Sequence, residues 1–377
     1  MANKAIKYRL YPTKEQTVFF AKTFGCCRKV YNLMLADKIK SYEETKSFGK
    51  QTPAMYKKEY PFLKEVDSLA LANVQLHLQS AIKNCFDKKR KTRNGFPNYK
   101  SAKHSRKSYT TNNQNGTIAM TGNGIKLPKI GIIKAVIHRQ PDASWKIKSA
   151  TISQDRDGKF YASVLFEYDT EIVSISKMSS NAIGLDYKSD GLYMDSNGKR
   201  ADMHKYYRES RTKLAKAQRK LSRKIGSCKG EPKSNHYIKQ QKKLAKLHRH
   251  IANQRLDDLH KKSTEIANQY DIVCVESLNM KAMSNKGFGN GKATLDNGYG
   301  LFLQKLKYKL LERGKHFVKV DKWYPSSQLC SRCGQQKKMK LTDRIYTCSC
   351  GLVMDRDQNA AINILQEGLR LLRKEVA

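Results

Sequence analysis

Cys330-Ser-Arg-Cys333 and Cys348-Ser-Cys350 stand fourteen residues apart, and the second pair runs directly into Gly351-Leu-Val-Met-Asp355-Arg-Asp357. Thiolates at this spacing suit a tetrahedral Zn²⁺, although a zinc ribbon ordinarily has two residues within each pair and the second pair here has one. A ribbon of this size has almost no apolar core and needs its metal to fold. Its expected role is therefore structural: to anchor the helix that follows. The other five cysteines are scattered, and the total of nine is odd. That pattern argues for reduced thiols rather than a disulfide framework.

Carboxylates supply a second kind of chemistry. Asp186 ends the apolar segment Ala182-Ile-Gly-Leu185, and Glu276 ends Ile272-Val-Cys-Val275. Strand ends are where an α/β sheet presents functional side chains. A third acid must be chosen between Asp355 and Asp357. Ala361, Ile364, Leu365 and Gly368 share a helical face with Asp357, which turns that acid toward the sheet. Asp355 lies about 200° away around the helix, which makes it an N-cap with Gln358 closing a capping box. Asp190 rivals Asp186 as a ligand, but it sits in a Ser-Asp-Gly turn where Asp has a local backbone role. Three convergent carboxylates repel one another unless a cation is present. With Mg²⁺ or Mn²⁺, both of which accept hard oxygen ligands, Asp186, Glu276 and Asp357 become a site for phosphodiester hydrolysis without a nucleophilic Ser or Cys.

The elements that must position these groups can be read from pattern. Residues 4–10 alternate as a strand, Pro12 breaks the run, and a helical region extends from about Lys14 to Lys91. A basic stretch from Lys88 to Lys107 follows, and short β-like segments fill about 117–173. The opening strand is expected to pair with that later set, making the helices an insertion in a small β-domain. A second, α/β unit begins near Asn181, with a hairpin turn at Asp195-Ser-Asn-Gly198 and a polar helical pair over 204–265 broken at Gly226–Pro232. Ser284 to Gly300 is rich in Gly and Asn and reads as a mobile loop.

Charge narrows the partner. The chain of 377 residues carries 74 Lys and Arg against 33 Asp and Glu, a net +41. From Lys205 to Lys262 the count is 19 against 4. An excess dispersed along the whole length suits an extended nucleic acid better than a local anionic ligand. No apolar run approaches the roughly 20 residues that span a bilayer, so a membrane partner is not expected. The opening residues lack the apolar stretch of a signal peptide, which points to the cytoplasm. Nothing in the pattern sets an oligomeric state.

Gly184-Leu-Asp-Tyr187, Val275-Glu-Ser-Leu-Asn279, Tyr324-Pro-Ser-Ser-Gln-Leu-Cys-Ser-Arg-Cys-Gly334 and Asp355-Arg-Asp-Gln-Asn-Ala-Ala-Ile-Asn-Ile364 together resemble TnpB, the RNA-guided nuclease family carried by insertion sequences and related to miniature type V CRISPR effectors. The likeness spans nearly the whole chain, including Phe96-Pro-Asn-Tyr-Lys100 in the basic stretch. It implies a multidomain α+β fold: a wedge β-barrel from residues 1–11 and 116–180, a helical recognition insert at 12–115, an RNase H-like (RuvC) nuclease at 181–322 and 351–377, and a zinc ribbon at 323–350. It also implies that Asp186, Glu276 and Asp357 are the catalytic acids and that the segment from Ser284 is a lid over them. The implied partners are a guide RNA from the transposon end and double-stranded target DNA bearing a short adjacent motif, for which Tyr56, Asn73, Gln75 and Gln79 on the insert are candidate readers. Sequence reading would be left to base pairing, in keeping with basic residues spread along a heteroduplex backbone. Competing expectations are a guided repressor that binds without cutting, a nuclease that works without a guide, and a compact CRISPR effector.

Overall fold

The computed structural model describes residues 2–87, 95–169, 174–228, 230–285, 287, 291–340 and 342–374. Residues 88–94 of the basic stretch expected from Lys88 to Lys107 and part of the Gly-rich segment, residues 286 and 288–290, lie outside them. The chain divides into two compact units, one up to residue 170 and one from residue 171.

In the first unit, β1 (Ala2–Tyr11) buries Ile6, Tyr8 and Leu10 on one face, as strand alternation requires. Thr13 and Gln16 form a reciprocal capping box that starts α1 (Lys14–Thr45). Then come α2 (Tyr56–Glu59), a 3₁₀ turn at Pro61–Lys64, and α3 (Ser68–Phe86), whose N-cap is Asp67. The strands β2 (Lys107–Asn112), β3 (Ala119–Thr121), β4 (Gly124–Leu127), β5 (Gly131–Val136), β6 (Lys146–Gln154) and β7 (Phe160–Tyr168) complete an antiparallel sheet ordered β2-β6-β7-β1-β5-β4-β3. The first strand does pair with the later ones, lying between β7 and β5. Phe20 and Phe24 of α1 pack with Tyr109 and Phe160 to join helices and sheet.

Two boundaries need correction. The helical insert expected to run to residue 115 ends earlier, because the Thr-rich, alternately buried β2 pairs along its length with β6. Among the described residues the sheet's hydrogen-bonded order also ends at β2 and β3, without the closing pairing of the expected barrel. At the far boundary, the Ile175 amide donates to the Gly314 carbonyl and His316 bonds the Ile175 carbonyl. Those ties, one backbone and one from the His316 ring, place residues before 180 with the second unit.

The second unit holds β8 (Ala182–Tyr187), β9 (Tyr193–Asp195), β10 (Arg200–Ala201), α4 (Tyr206–Ser222), α5 (Asn235–Gln269), β11 (Ile272–Glu276), α6 (Met280–Met283), α7 (Gly291–Asn297), α8 (Tyr299–Leu311), β12 (His316–Val320), β13 (Ile345–Thr347), β14 (Val353–Asp355) and α9 (Arg356–Lys374). Its main sheet is ordered β10-β9-β8-β11-β12, with β8, β11 and β12 parallel. One face buries Ile183, Leu185, Val273 and Val275 against Tyr299, Phe302 and Leu306 of α8. The other carries α9. The basic pair α4 and α5 is held by a thin seam of Leu214, Leu221, Leu244 and Ile251, leaving its charged positions largely exposed. Among the described residues, no helix is long and apolar enough to cross a membrane.

The segment from Ser284 is not simply a loop, since α7 is ordered and buries Thr294, Asp296 and Asn297. These residues are held by hydrogen bonds rather than apolar packing, so a hydropathy reading cannot see the helix.

Candidate metal centres

Asp186 and Glu276 occupy the C-terminal ends of neighbouring parallel strands, each one residue beyond the registered pair Leu185↔Val275. Gly184 and Cys274 face α9, because a Cβ on Gly184 would lie 2.1 Å from the Ala361 carbonyl oxygen and one on Gly368 would lie 2.4 Å from Cys274 Sγ. Strand alternation then turns Asp186 and Glu276 to that same face. Glycine at 184 and 368 is what lets the α9 backbone press directly on the sheet. Asp357, in the first turn of α9, is buried there. The helix start is capped as expected by Asp355, whose Oδ1 accepts from the amides of Asp357 (2.8 Å) and Gln358 (3.1 Å). The capping box is only half formed, because the Gln358 side chain lies over Gly198.

Asp186 feels the other two acids. Burial, then the charges of Asp357 and Glu276, push the Asp186 carboxyl well above its ordinary value, with Arg356 and Lys188 pulling the other way. Burial alone raises Glu276 to about 7. Asp357 is also buried, but the hydrogen bond and charge of Lys188, with help from Arg356, outweigh that and hold it below its ordinary value. The Lys188–Asp357 ion pair is shielded, its side chains only 11% and 12% exposed. Lys188 supplies the cation that such a cluster demands, and nothing in the sequence pattern had singled it out. Asp190 is exposed and pairs with Arg200 at 3.4 Å, in keeping with a turn residue.

The residues of α7 brace this corner. Asn297 Nδ2 donates to the carbonyls of Ser189 (2.7 Å) and Lys188 (3.5 Å), and Tyr187 donates its hydroxyl to Thr294 Oγ1 (3.3 Å). Asp296 accepts from the amides of Tyr207 (3.1 Å) and Arg208 (3.4 Å) and from Arg255 Nη2 (3.2 Å), tying α7 to both basic helices. The Asp-Asn pair at 296–297 is the only trace of this in the sequence.

The cysteines are more tightly gathered. Among the described residues, Cys330, Cys333, Cys348 and Cys350 are the one group of three or more potential ligands whose donor atoms all lie within 4.8 Å of one another. The acids are therefore spaced more widely than this. Sulfur separations are 3.6 Å for Cys330–Cys350 and for Cys333–Cys348. A tetrahedral ion with Zn–S bonds of about 2.3 Å sets sulfurs about 3.8 Å apart, so the set fits zinc despite the short second spacing. Gly334 and Gly351, at φ of 76° and 86°, make the two tight turns. Buried asparagines join the cluster to α9: Asn359 Oδ1 accepts from the Ser331 amide (3.0 Å), and Asn363 Nδ2 donates to the Ser326 and Leu329 carbonyls (2.8 and 2.7 Å).

The four candidate motif readers do not form one surface. Tyr56 is buried and donates its hydroxyl to Asp37, and Asn73 is buried and donates back to the Leu69 carbonyl at 2.9 Å. Tyr56 is internal and ill placed to read a ligand directly, whereas Asn73 lines a small cavity with Arg28, His77 and Lys100. Gln75 and Gln79 lie one turn apart on α3, the first half-buried and the second exposed.

Three family models match parts of the chain: a helix-turn-helix domain of IS605 OrfB at residues 1–47, an IS605 OrfB "Probable transposase" model at 164–286, and a Cas12f1-like TNB domain at 299–364. Residues 14–45 of the first region form one continuous helix here. A "Putative RNA-guided DNA endonuclease" of Streptomyces pristinaespiralis is 34% identical, over 97% of this chain and 89% of that protein. The "Putative RNA-guided DNA endonuclease InsQ" of Escherichia coli K12 is 29% identical, over 98% and 93%. In fold, the chain resembles the protein of a Cas12f1–sgRNA–target DNA complex at TM-score 0.60, with 13% identity over 93% of this chain and 83% of that one. The chain belongs to the TnpB family.

Proposed function

We propose that the protein is an RNA-guided DNA endonuclease of the prokaryotic cytoplasm that binds a transposon-end guide RNA, reads a short motif beside its target, and hydrolyses the matched double-stranded DNA with Mg²⁺ or Mn²⁺. The observation that carries this reading is the placing of Asp186 and Glu276 on adjacent strand ends, facing the helix that brings Asp357. That arrangement supports an RNase H-like nuclease made of 181–322 and 351–377 around a zinc ribbon at 323–350. The antiparallel sheet and the α1–α3 helices support the wedge and recognition insert, with β2 counted in the wedge.

The donor set suits the ions: three hard carboxylates, two of them pushed toward protonation by crowding or burial, with an internal cation already drawn to the third. Asp186, Glu276 and Asp357 would hold them. When bound, the ions supply an activated water and charge stabilisation at the leaving 3′-oxygen. Were Asp357 to hold an ion, Lys188, its present partner, would be released and could pair with a phosphate instead. The exposed basic faces of α4 and α5 hold nucleic acid through its backbone without regard to sequence. Asn359 and Asn363 keep the ribbon locked to the helix that presents Asp357.

The test is to express the protein with its flanking DNA, sequence the RNA that copurifies, and incubate the complex with matched DNA and Mg²⁺. Cleavage that Asp186→Ala abolishes while guide binding persists is the expected result. Tight binding with intact DNA would instead identify a guided repressor, and unaided cutting of branched DNA by RNA-free protein would identify a guide-independent nuclease.

A further inference from the structure

The chain has two tryptophans. Trp145 is packed against Phe166 and Tyr168, whereas Trp323 is 79% exposed, more than any other large apolar side chain among the described residues. A lone exposed apolar residue is ordinary, but this one is held in place. The Asp321 carboxylate accepts from the Trp323 amide (2.8 Å) and the Asp321 carbonyl from the Tyr324 amide (3.1 Å), closing a tight turn. Buried Val320 precedes that turn, and buried Ser326, whose carbonyl accepts from Asn363, follows it. Lys322 Nζ lies over one face of the indole, 4.3 Å from its centroid. The result is a firmly mounted aromatic plate with a cation against it.

The place of this plate in the sheet indicates what it serves. β12 is the parallel neighbour of β11, and Val320 is registered with Glu276. Trp323 therefore follows the same end of the sheet at which Asp186 and Glu276 stand, and three residues carry it at most about 11 Å beyond Val320. Tyr324 packs with Val320, Ile364 and Leu369 on the face that carries α9, which is the face toward which both acids turn. Lys319 and Lys322 are exposed on either side of Asp321, so positive charge flanks the ring.

We propose that Trp323 stacks on an unpaired base of the DNA strand led to the acid site, with Lys322 beside the phosphate of that nucleotide. This rests on the nuclease reading above. Stacking on an aromatic plate is indifferent to which base is presented, as suits a guided protein in which base pairing reads the sequence.

Photo-cross-linking tests this without DNA cleavage. The guide-bound complex is mixed, in Ca²⁺, with an oligothymidylate carrying iodouracil in place of thymine, and ultraviolet light joins the halogenated base to an aromatic ring stacked upon it. Peptide mapping should place the cross-link on Trp323. Trp323→Ala should lose it and weaken oligonucleotide binding roughly 5- to 150-fold, with zinc content and melting temperature unchanged, whereas Trp323→Phe should keep most of the affinity. Absence of a cross-link at residue 323, or an alanine variant that binds as wild type does, overturns the proposal. A cross-link there from an iodouridine-substituted guide, before any DNA is added, also overturns it by giving the plate to RNA. The nuclease reading fails separately: a wild-type complex that cross-links at Trp323 yet leaves matched DNA intact in Mg²⁺ sinks that reading while the stacking role stands.

Discussion

The cysteine and acid clusters lie in one unit yet are built on opposite plans. Four thiols drawn from 21 consecutive residues converge through two glycine turns to sulfur separations of 3.6 Å. Three acids drawn from a span of 172 residues converge only through the sheet and α9. They remain looser than the cysteines and are stabilised by Lys188. A site that must keep its metal can be closed and local. On the proposed nuclease reading, the acid site would admit ions and a phosphate and so has to stay open, its mutual repulsion tolerated by the rest of the fold.

Zinc removal should break this contrast most severely. Cys330→Ser, or a strong chelator, should reduce bound zinc from one per chain to none, unfold the ribbon and abolish cleavage, because α9 loses the partners of Asn359 and Asn363; X-ray fluorescence and limited proteolysis read both effects. Mild EDTA that strips only Mg²⁺ should stop cleavage reversibly and leave the protease pattern unchanged. If Cys330→Ser still cuts DNA, the anchoring role is wrong.

Helix placement comes next. Gly368→Ala puts a methyl 2.4 Å from Cys274 Sγ and should destabilise by about 1–3 kcal/mol, with cleavage falling further than stability as Asp357 is displaced. Cys274→Ala in the same chain should restore part of the loss. A fully stable, fully active Gly368→Ala protein would mean that the close contact does not set the acid.

Smaller effects sharpen the comparison. In metal-free buffer at pH 8, Asp186→Asn should melt about 2–4 °C higher than wild type, the shift expected from ~1 kcal/mol, because it removes a crowded charge. The sign follows from linkage: Asp186 and Glu276 both have folded-state values raised above their ordinary ones, so the folded state holds protons the unfolded chain has lost, and stability declines as pH rises. Cleavage should run the other way. Glu276 must lose its proton to serve as a ligand, so at subsaturating Mg²⁺ the rate should climb several-fold between pH 6 and 8, around the value near 7. A flat profile there would remove Glu276 from the site.

Much of this was legible in the chain. The cysteine spacing points to a metal clip, and the four thiols do gather; the ends of two apolar runs point to Asp186 and Glu276, which lie on neighbouring parallel strands. Helical phase chose Asp357 over Asp355, and the structure places the two as that argument required. What could not be read depends on partners distant in sequence. Lys188 matters only because α9 delivers Asp357 beside it, and α7 is held by Thr294, Asp296 and Asn297, whose polarity looks like loop. Tyr56 and Asn73 look like exposed polar side chains until Asp37 and the Leu69 carbonyl are found to satisfy them. The Thr-rich β2 was counted with the helical insert because its partner strand, β6, begins 39 residues after β2 does.

The closeness of α9 to the sheet has a consequence for how this protein can vary. Where a helix rests on bulky side chains, each substitution beneath it changes the spacing slightly, and the errors accumulate at the far end. Here main chain meets main chain at Gly184, and at Gly368 the helix backbone meets the Cys274 side chain, so the depth of the helix is gauged by two close contacts. The tolerance at these two contacts is no more than a hydrogen atom on Gly184 and one on Gly368.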